Sequence, residues 1–368
     1  MAFGTDCEYM PVILSLYLDL VRFLAAAGVL FEHISSKPIT SGVFWWRLGN
    51  YGAVGVIIFF VLSGYVIAYV LSTRENSIGP YFSNRISRLY SVALPALILT
   101  FTLDSVGIFI NPDFYQMKAV LWRPESWSGY ISSIFFLNEY QIFDFGGISP
   151  GTNGPYWSLS FEATYYLVAG VAIFLPLVRS LPVVAIILVI AGKTIAALLP
   201  VWMLGYFLYK SASKLKLKAF TATAGFFLSA FLLVLHPSIV DQLPSDNFGF
   251  YFPWGRAAYN RNLVADYVVA ILFGVHVLSA QNIAQRFGER NYSCAAAIRW
   301  IGGLTFPLYC IHYPVLCFLR AVSPWGMDTW ENAFFLLILM SLSVVLVGSY
   351  CDNLKMKFRY NFHKFKAN

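Results

Sequence analysis

The sequence predicts an all-α, polytopic membrane protein with about ten transmembrane helices. Hydrophobic residues make up 58% of the 368 residues and charged residues only 12%, whereas a soluble domain carries roughly 25% charged residues. Apolar runs recur along the whole length, and most approach the ~20 residues that a helix needs to cross a bilayer. These observations leave no room for a soluble domain. We therefore expect one membrane domain over residues 1–368, with a core over about 12–350.

Ten segments carry this apolar character. In chain order they are 12–33, 52–71, 89–110, 157–178, 181–192, 194–209, 219–236, 262–279, 300–319 and 331–350. The second, which contains VGVIIFFVLSGYVIAYV, is typical of them. The segment 181–192 is short, and Lys193 separates it from the next. It could be a re-entrant half-helix, which would leave the later topology unchanged.

The positions of lysine and arginine predict the orientation. If the N-terminus lies in the cytoplasm, sixteen of the 25 basic residues fall on the inner side and eight on the outer side, with Arg22 inside a helix. Inner loops carry an excess of such residues, so both termini and the basic tail 351–368 are expected in the cytoplasm. The net charge of +7 then reflects basic segments that meet anionic lipid. The sequence contains no nucleic-acid-binding motif.

Two long outer segments, 111–156 and 237–261, are rich in aromatic residues, Gly and Pro. Such loops over a membrane core suit a carbohydrate or a lipid headgroup. Interfacial anchoring by Trp and Tyr explains them equally well, so both interpretations stay open. The five cysteines have no metal-ligand spacing, and no bound metal is expected.

Three titratable residues share one face of the first segment. Asp19, Arg22 and His33 are three and eleven residues apart, which are near-whole turns of a 3.6-residue helix. Ionisable groups inside a spanning helix are costly and by default mark a functional site. An imidazole ordinarily titrates near pH ~6.5, which suits a general base, although His33 could simply face water at the interface. Arg22 and Asp19 either line a polar channel or only neutralise each other.

An arginine pair precedes the third segment. Arg85 and Arg88 are one helical turn apart in NRISRLY. Two guanidinium groups at this spacing can hold phosphates through paired hydrogen bonds. The alternative is that they are ordinary basic residues of an inner loop.

Two further ionisable residues lie inside apolar segments. Glu162 occurs in PYWSLSFEATYYLV, and His312 occurs in LTFPLYCIHYPVL. Each could belong to a site, or could be a hydrogen-bonded or ion-paired residue of structural use only. Asp19, Arg22 or one of the paired arginines could be the partner of Glu162.

Together these residues resemble the integral-membrane acyltransferase family often called acyltransferase family three, from about residue 15 to residue 350. Each motif is short, but their order and spacing together are specific. The motifs are Asp-x-x-Arg with a downstream His at 19–33, FFVLSGYVI at 59–67, Arg-x-x-Arg at 85–88, WSLSFE at 157–162 and LYCIHYP at 308–314.

Members of that family O-acetylate sugars of bacterial O-antigen, capsule and exopolysaccharide, and some small molecules. The resemblance implies that His33 is the catalytic residue and that the arginine pair is associated with the acyl-CoA donor. The predicted site residues fall into three groups: His33, Glu162 and Asp19 as catalytic residues; Arg85, Arg88 and Arg22 as donor-binding residues; and Trp157, Ser158, Tyr309 and His312 for substrate contact or structural support.

The expected function is a membrane O-acyltransferase. It would move an acetyl group from cytoplasmic acetyl-CoA across a bacterial inner membrane to a hydroxyl of a cell-surface or lipid-linked glycan, with His33 as general base or as acyl relay. The alternative is a secondary transporter of a small anion or sugar, since intramembrane charged residues suit that class as well. The sequence shows no inverted repeat, which argues against the transporter.

Overall fold

The computed structural model describes residues 10–44, 51–117, 127–140, 147–212, 214–240, 263–287, 290 and 292–367, with side chains as far as residue 360. These residues form α-helices, a 3-10 helix at Gly154–Trp157 and no β-strand. The α-helices are α1 Val12–Ile34, α2 Lys37–Thr40, α3 Gly52–Thr73, α4 Ile78–Ile110, α5 Pro112–Met117, α6 Trp127–Ile134, α7 Ser158–Phe174, α8 Leu177–Ala191, α9 Lys193–Ser211, α10 Ala219–Val240, α11 Leu263–Ala284, α12 Ala295–Val322 and α13 Trp330–Ala367.

The predicted class, an all-α polytopic membrane protein, is confirmed. Each of the ten predicted segments falls on a helix, namely α1, α3, α4 and the seven helices from α7 to α13. Within the described residues, eight helices are long and apolar enough to cross a membrane: α1, α3, α4, α7 with its preceding 3-10 turn, α10, α11, α12 and α13. The short fifth segment forms α8, an apolar helix of 15 residues. That is less than the ~20 residues of a full span.

Two helices, α4 and α13, extend more than ten residues beyond their predicted bounds. α4 begins at Ile78 and not at residue 89, so both arginines of the pair lie inside the helix. Pro80 does not prevent this, because proline is tolerated in the first helical turn. α13 continues to Ala367, so residues 351–367 of the predicted tail extend the last helix. No Gly or Pro interrupts the chain between Gly348 and that end.

Glycines allow α3 and α9 to approach closely. A Cβ atom on Gly205 would overlap the carbonyl oxygen of Val61, and one on Gly64 would overlap that of Trp202. Small residues at helix contacts let membrane helices pack backbone to backbone. This contact fixes α9 against α3, which in turn lies beside α1 and α7.

The segment before α7 is fixed to α4. The carboxylate of Asp104 accepts a hydrogen bond from the Thr152 backbone N–H at 2.8 Å and another from its hydroxyl at 2.7 Å. Gly151 has φ +56° and packs against this carboxylate, a left-handed conformation that favours glycine. The Asn153 side chain then donates to the carbonyl oxygen of Cys310 in α12, at 2.9 Å. These bonds hold the start of α7 between α4 and α12.

Candidate active site

A cavity of about 50 Å³ lies among five helices, α1, α3, α4, α7 and α12. One part of its wall is apolar and includes Phe59, Phe60 and Phe306. The other part is polar and consists of Arg22, Ser63, Arg88, Ser158, Glu162, Thr305 and Tyr309. Five of these seven polar residues are among the predicted site residues. The fold therefore brings together groups that lie far apart in the sequence.

Arg88 and Glu162 form an ion pair in the cavity wall. Their nearest atoms, Arg88 Nη2 and Glu162 Oε1, are 3.9 Å apart, and both side chains are partly exposed. The hydroxyl of Tyr166 donates a hydrogen bond to the same carboxylate oxygen. The Arg88 guanidinium lies 6.0 Å from the ring centroid of Phe306. The partner of Glu162, which the sequence left open among several groups, is therefore Arg88.

Asp19 and Arg22 interact as their spacing predicts. Arg22 Nη1 lies 3.7 Å from Asp19 Oδ1. The other carboxylate oxygen of Asp19 is 3.2 Å from Arg299 Nη1, an α12 residue that the sequence reasoning missed. Asp19 therefore joins α1 to α12 and leaves Arg22 at the cavity wall. Asp19 itself is not part of that wall.

Arg85 has different surroundings from Arg88. Its Nη2 donates to both carboxylate oxygens of Glu75, at 2.9 and 2.7 Å, and both side chains are buried. The guanidinium also lies 5.3 Å from the ring centroid of Tyr81 and 5.6 Å from that of Tyr166. The two arginines do not share one ligand-facing surface in this structure. Arg88 faces the cavity, and Arg85 is held behind it.

His33 and His312 meet where α1 and α12 pack together. Their ring centroids are 5.1 Å apart, and the ring of Tyr313 is 4.7 Å from that of His33. His312 is buried, and its Nδ1 lies 2.8 Å from the carbonyl oxygen of Tyr309. Because a carbonyl oxygen only accepts, Nδ1 carries the hydrogen. Nε2 has no hydrogen-bond partner among the described residues.

Tyr309 connects the cavity to this histidine pair. Its hydroxyl accepts a hydrogen bond from Ser158 Oγ at 2.7 Å and donates to the Pro155 carbonyl oxygen at 3.0 Å. Its ring is 6.0 Å from that of His312. Tyr309 lines the cavity, whereas neither histidine does. A line of side chains therefore runs from the cavity through Tyr309 and His312 to His33.

Trp157 is buried beside the cavity and not in its wall. Its ring packs edge-on against Phe161, at a centroid distance of 5.0 Å, and against Phe60, at 6.3 Å. Phe60 is part of the cavity wall. Trp157, one of the predicted site residues, thus packs behind the cavity wall and supports it.

The sequence reasoning missed several polar residues of the site. They are Ser63, Glu75, Tyr166, Arg299 and Thr305. Helical spacing could have predicted Thr305 as a site residue, because it lies four residues before Tyr309 and seven before His312, on the same helix face. Its hydroxyl is buried and has no partner among the described residues. Within the described part of the chain, no group of three or more His, Cys, Asp or Glu could hold a metal ion.

Glu32, next to His33, points to another helix. Its Oε2 accepts a hydrogen bond from the Gly52 backbone N–H at 2.5 Å. Gly52 is the first residue of α3, so the carboxylate occupies the positive end of that helix. This contact explains how a carboxylate is accommodated beside the predicted catalytic histidine.

A family model described as an acyltransferase domain matches residues 15–351 of this chain. The chain belongs to this acyltransferase family. The matched range contains every predicted site residue, from Asp19 to His312. The family resemblance that the sequence motifs predicted is thereby confirmed.

Several curated relatives of this acyltransferase share part of the sequence. An O-acetyl transferase of Shigella phage Sf6 is 31% identical over 157 residues, 42% of this chain and 45% of the relative. Nodulation protein 10 of Rhizobium leguminosarum bv. viciae is 29% identical, over 40% of this chain and 41% of the relative. The O-acetyltransferase OatA of Staphylococcus aureus is 27% identical, over 41% of this chain and 23% of the relative. The chain thus spans less than half the length of these relatives, and no solved structure matches it.

Proposed function

We propose that this protein transfers an acetyl group from acetyl-CoA to a hydroxyl of a glycan on the far side of a bacterial inner membrane. The observation that carries the proposal is the line of side chains from the charged cavity through Tyr309 to His33. It joins a group that can hold an anionic donor to a group that can move a proton. The names of the phage and staphylococcal relatives, both O-acetyltransferases, support an acetyl group and a hydroxyl acceptor.

Arg88 and Arg22 are the proposed contacts for the donor. Both line the cavity, and a guanidinium binds phosphate strongly through charge-assisted hydrogen bonds. The cavity volume of about 50 Å³ is a few times the roughly 10–15 Å³ that holds one water. That space suits a narrow acyl-bearing arm and excludes a nucleotide. The nucleotide would remain at the mouth, on the side predicted to be cytoplasmic.

Arg85 would serve this donor site indirectly. Its guanidinium is shared between the Glu75 carboxylate and the rings of Tyr81 and Tyr166. Tyr166 in turn donates to Glu162. We therefore propose that Arg85 stabilises the cavity wall behind Arg88. Glu162 would neutralise the charge of Arg88 until a donor binds. Asp19 has the same balancing role toward Arg22.

His33 is the proposed general base. It would take the proton from the acceptor hydroxyl while the hydroxyl oxygen attacks the thioester carbonyl carbon. The carbon–sulfur bond then breaks, and the CoA sulfur leaves with the proton returned from His33. An acyl-histidine relay uses the same groups in two steps, with the acetyl first on the imidazole and then on the hydroxyl. Ser158, Tyr309 and His312 would position the ring and the thioester.

The test is acetyl transfer by the purified protein in nanodiscs. With acetyl-CoA and a glycan acceptor, free CoA should form only when the acceptor is present, and the acceptor should gain one acetyl mass per CoA. A secondary transporter would release no CoA. Donor hydrolysis that does not depend on any acceptor, or acetylation equal to that of protein-free nanodiscs, would exclude the proposed activity.

A further inference from the structure

A second cavity, the α10–α11 cleft, lies away from the site described above. It is bounded by the start of α1, the start of α10 and the end of α11, and its volume is about 280 Å³. Its wall is apolar except for the side chains of Tyr17 and Thr223. The alternating topology predicted from the sequence places these three helix ends on the cytoplasmic side.

Tyr17 lines the cleft and connects α1 to the other two helices. Its hydroxyl is hydrogen-bonded to Nε2 of His276, and its ring packs against Phe226 at a centroid distance of 5.6 Å. The other ring nitrogen of His276 lies 3.0 Å from Ser229 Oγ. The hydroxyl of Tyr17 therefore already has a hydrogen-bond partner, and Tyr17 contributes mainly its aromatic ring to the wall of the cleft.

The walls favour an apolar occupant. A volume of 280 Å³ is many times the roughly 10–15 Å³ that one water needs, but water in a cavity requires polar partners. Phe227, in the wall, is 66% exposed on the outer surface of α10, and Phe287 is 49% exposed at the end of α11. The cleft thus opens onto the surface that the bilayer would cover, where hydrocarbon chains are available.

Basic residues surround the mouth of this cleft. Lys214, Lys216 and Lys218 precede α10 and are exposed, as are Arg286 and Arg290 after α11. The described residues of 210–223 and 280–290 include no Asp or Glu, although the sequence has one at Glu289.

The lysine segment is fixed at the mouth by hydrogen bonds to the end of α11. The Leu217 backbone N–H donates to Asn282 Oδ1 at 2.8 Å, and Arg286 Nη2 donates to the Leu217 carbonyl oxygen at 2.9 Å. These hydrogen bonds hold the lysine segment beside the apolar opening. The sequence alone predicted only that the lysines lie on the same side of the membrane as the cleft.

We propose that the α10–α11 cleft binds an anionic phospholipid. One acyl chain would occupy the space beside Tyr17, and the phosphate would lie among the lysines that precede α10. Juxtamembrane cations attract anionic lipid, and apolar surface favours a hydrocarbon over water. This site is independent of the proposed acetyl transfer, although Tyr17 is on the same helix as Arg22 and His33.

The experiment is native mass spectrometry of the delipidated protein with equal amounts of phosphatidylglycerol and phosphatidylcholine that carry the same chains. Wild-type protein should retain one phosphatidylglycerol in preference to phosphatidylcholine. Lys216→Gln with Lys218→Gln should lower that affinity about 25-fold, since each surface cation contributes about fivefold. Ala284→Phe, which fills the cleft, should lower the retention of both lipids. Arg179→Gln is the matched control, because it removes an exposed basic residue on the same predicted side.

Three outcomes would overturn the proposal. Equal retention of the two lipids would show that the cations do not select the headgroup. Unchanged retention in both the double lysine variant and Ala284→Phe would place the lipid elsewhere. A dimer without lipid would assign the cleft to a second copy of the chain. The lysine variant changes exposed side chains, so it tests the site even if Ala284→Phe does not fold.

Discussion

The imidazole rings of His33 and His312 lie against each other, with centroids 5.1 Å apart. The two residues are on different helices, α1 and α12, but their positions are not equivalent. His312 is fully buried, and its Nδ1 hydrogen is directed at backbone carbonyl oxygens of its own helix. His33 is only half-buried. Of the two rings, His33 is therefore the more accessible, which supports its proposed role as the general base.

We expect His33→Ala to abolish acetyl transfer while the protein still folds and binds acetyl-CoA. Removal of a general base commonly lowers a rate about a hundred- to ten-thousand-fold. Single-turnover transfer measures the rate, and calorimetry of acetyl-CoA binding shows that the donor site is intact.

The matched control is His312→Phe, which retains an aromatic ring against His33 and removes both ring nitrogens. If His312 only positions its neighbour, transfer should fall far less than in His33→Ala. A folded His33→Ala protein that acetylates at the wild-type rate would mean that another group is the base, and Glu162 would be the next candidate.

We expect Arg88→Ala to weaken acetyl-CoA binding. Its guanidinium faces the cavity and is only loosely paired, at 3.9 Å, with Glu162. Loss of a charge-assisted hydrogen bond typically costs ~1.5–3 kcal/mol, which is roughly a ten- to hundred-fold loss of affinity. Isothermal calorimetry with acetyl-CoA and with dephospho-CoA measures the loss and separates the phosphates involved.

Arg85→Ala should behave differently, because it leaves the buried Glu75 carboxylate without its closest cation. Breaking a buried ion pair by removal of one partner typically destabilises a protein by about 3–5 kcal/mol. The double variant Arg85→Ala with Glu75→Gln should recover part of that stability. If Arg85→Ala and Arg88→Ala instead lost affinity equally, at unchanged melting temperature, the result would indicate that both arginines bind the donor phosphates together.

The sequence was sufficient to predict the helices but not the polar contacts that form outside a single helix. Apolar runs predict spans because hydrocarbon burial depends on local composition, and each predicted segment is a helix. The partner of Arg85 is Glu75, beyond the start of its helix. No helical period connects these two residues, so only the folded chain reveals the pair.

The site was predicted best where its residues share one helix face. Asp19 and Arg22 form the expected pair because their spacing is one helical turn,. The contact between His33 and His312 depends instead on how α1 and α12 pack together, which single-sequence periodicity does not determine. Predicted features within 241–262, including most of the second long loop, lie outside the described residues.

The predicted orientation can be tested by labelling. In a cysteine-free background, Lys214→Cys should react with an impermeant maleimide only after the inner face is opened, and Asp328→Cys should react in intact cells. Both positions are exposed, so burial would not explain a failure to react. Such a failure would indicate that the residue lies on the side that the reagent does not reach. The reverse pattern would place the end of α1 that carries His33 on the cytoplasmic side and remove the need for transfer across the bilayer.

The protein should lose stability as the pH rises toward 8, through Glu139. This residue is buried and lies in the segment that connects α6 to the 3-10 helix. Burial raises its pKa to about 8 despite a hydrogen bond from the Gly147 backbone. Above the ordinary carboxyl pKa of ~4.3, the unfolded chain loses its proton while the folded protein keeps it, so stability falls. The fall should end near pH 8, where the folded protein also ionises.

Glu139→Gln removes this ionisation and should flatten the decline in melting temperature between pH 5 and pH 8. Melting temperatures of both proteins in the same detergent across this range measure the difference. Glu331→Gln is a suitable control, because that carboxylate is exposed at the start of α13. Parallel curves for wild-type and Glu139→Gln would show that Glu139 is not protonated in the folded state.

Gly205→Ala should strongly destabilise the protein, because the added Cβ would overlap the carbonyl oxygen of Val61. Backbone atoms of α3 cannot move aside as a flexible side chain can, so α3 and α9 must separate. Overpacking of this kind typically costs ~1–3 kcal/mol or more. Gly303→Ala is the control, since a Cβ there meets nothing within 4 Å and the change favours the helix by about 1 kcal/mol. Relative to the wild-type protein in the same detergent, the melting temperature should fall for Gly205→Ala and should stay the same or rise for Gly303→Ala. Equal melting temperatures for the two variants would refute the close contact of α3 with α9.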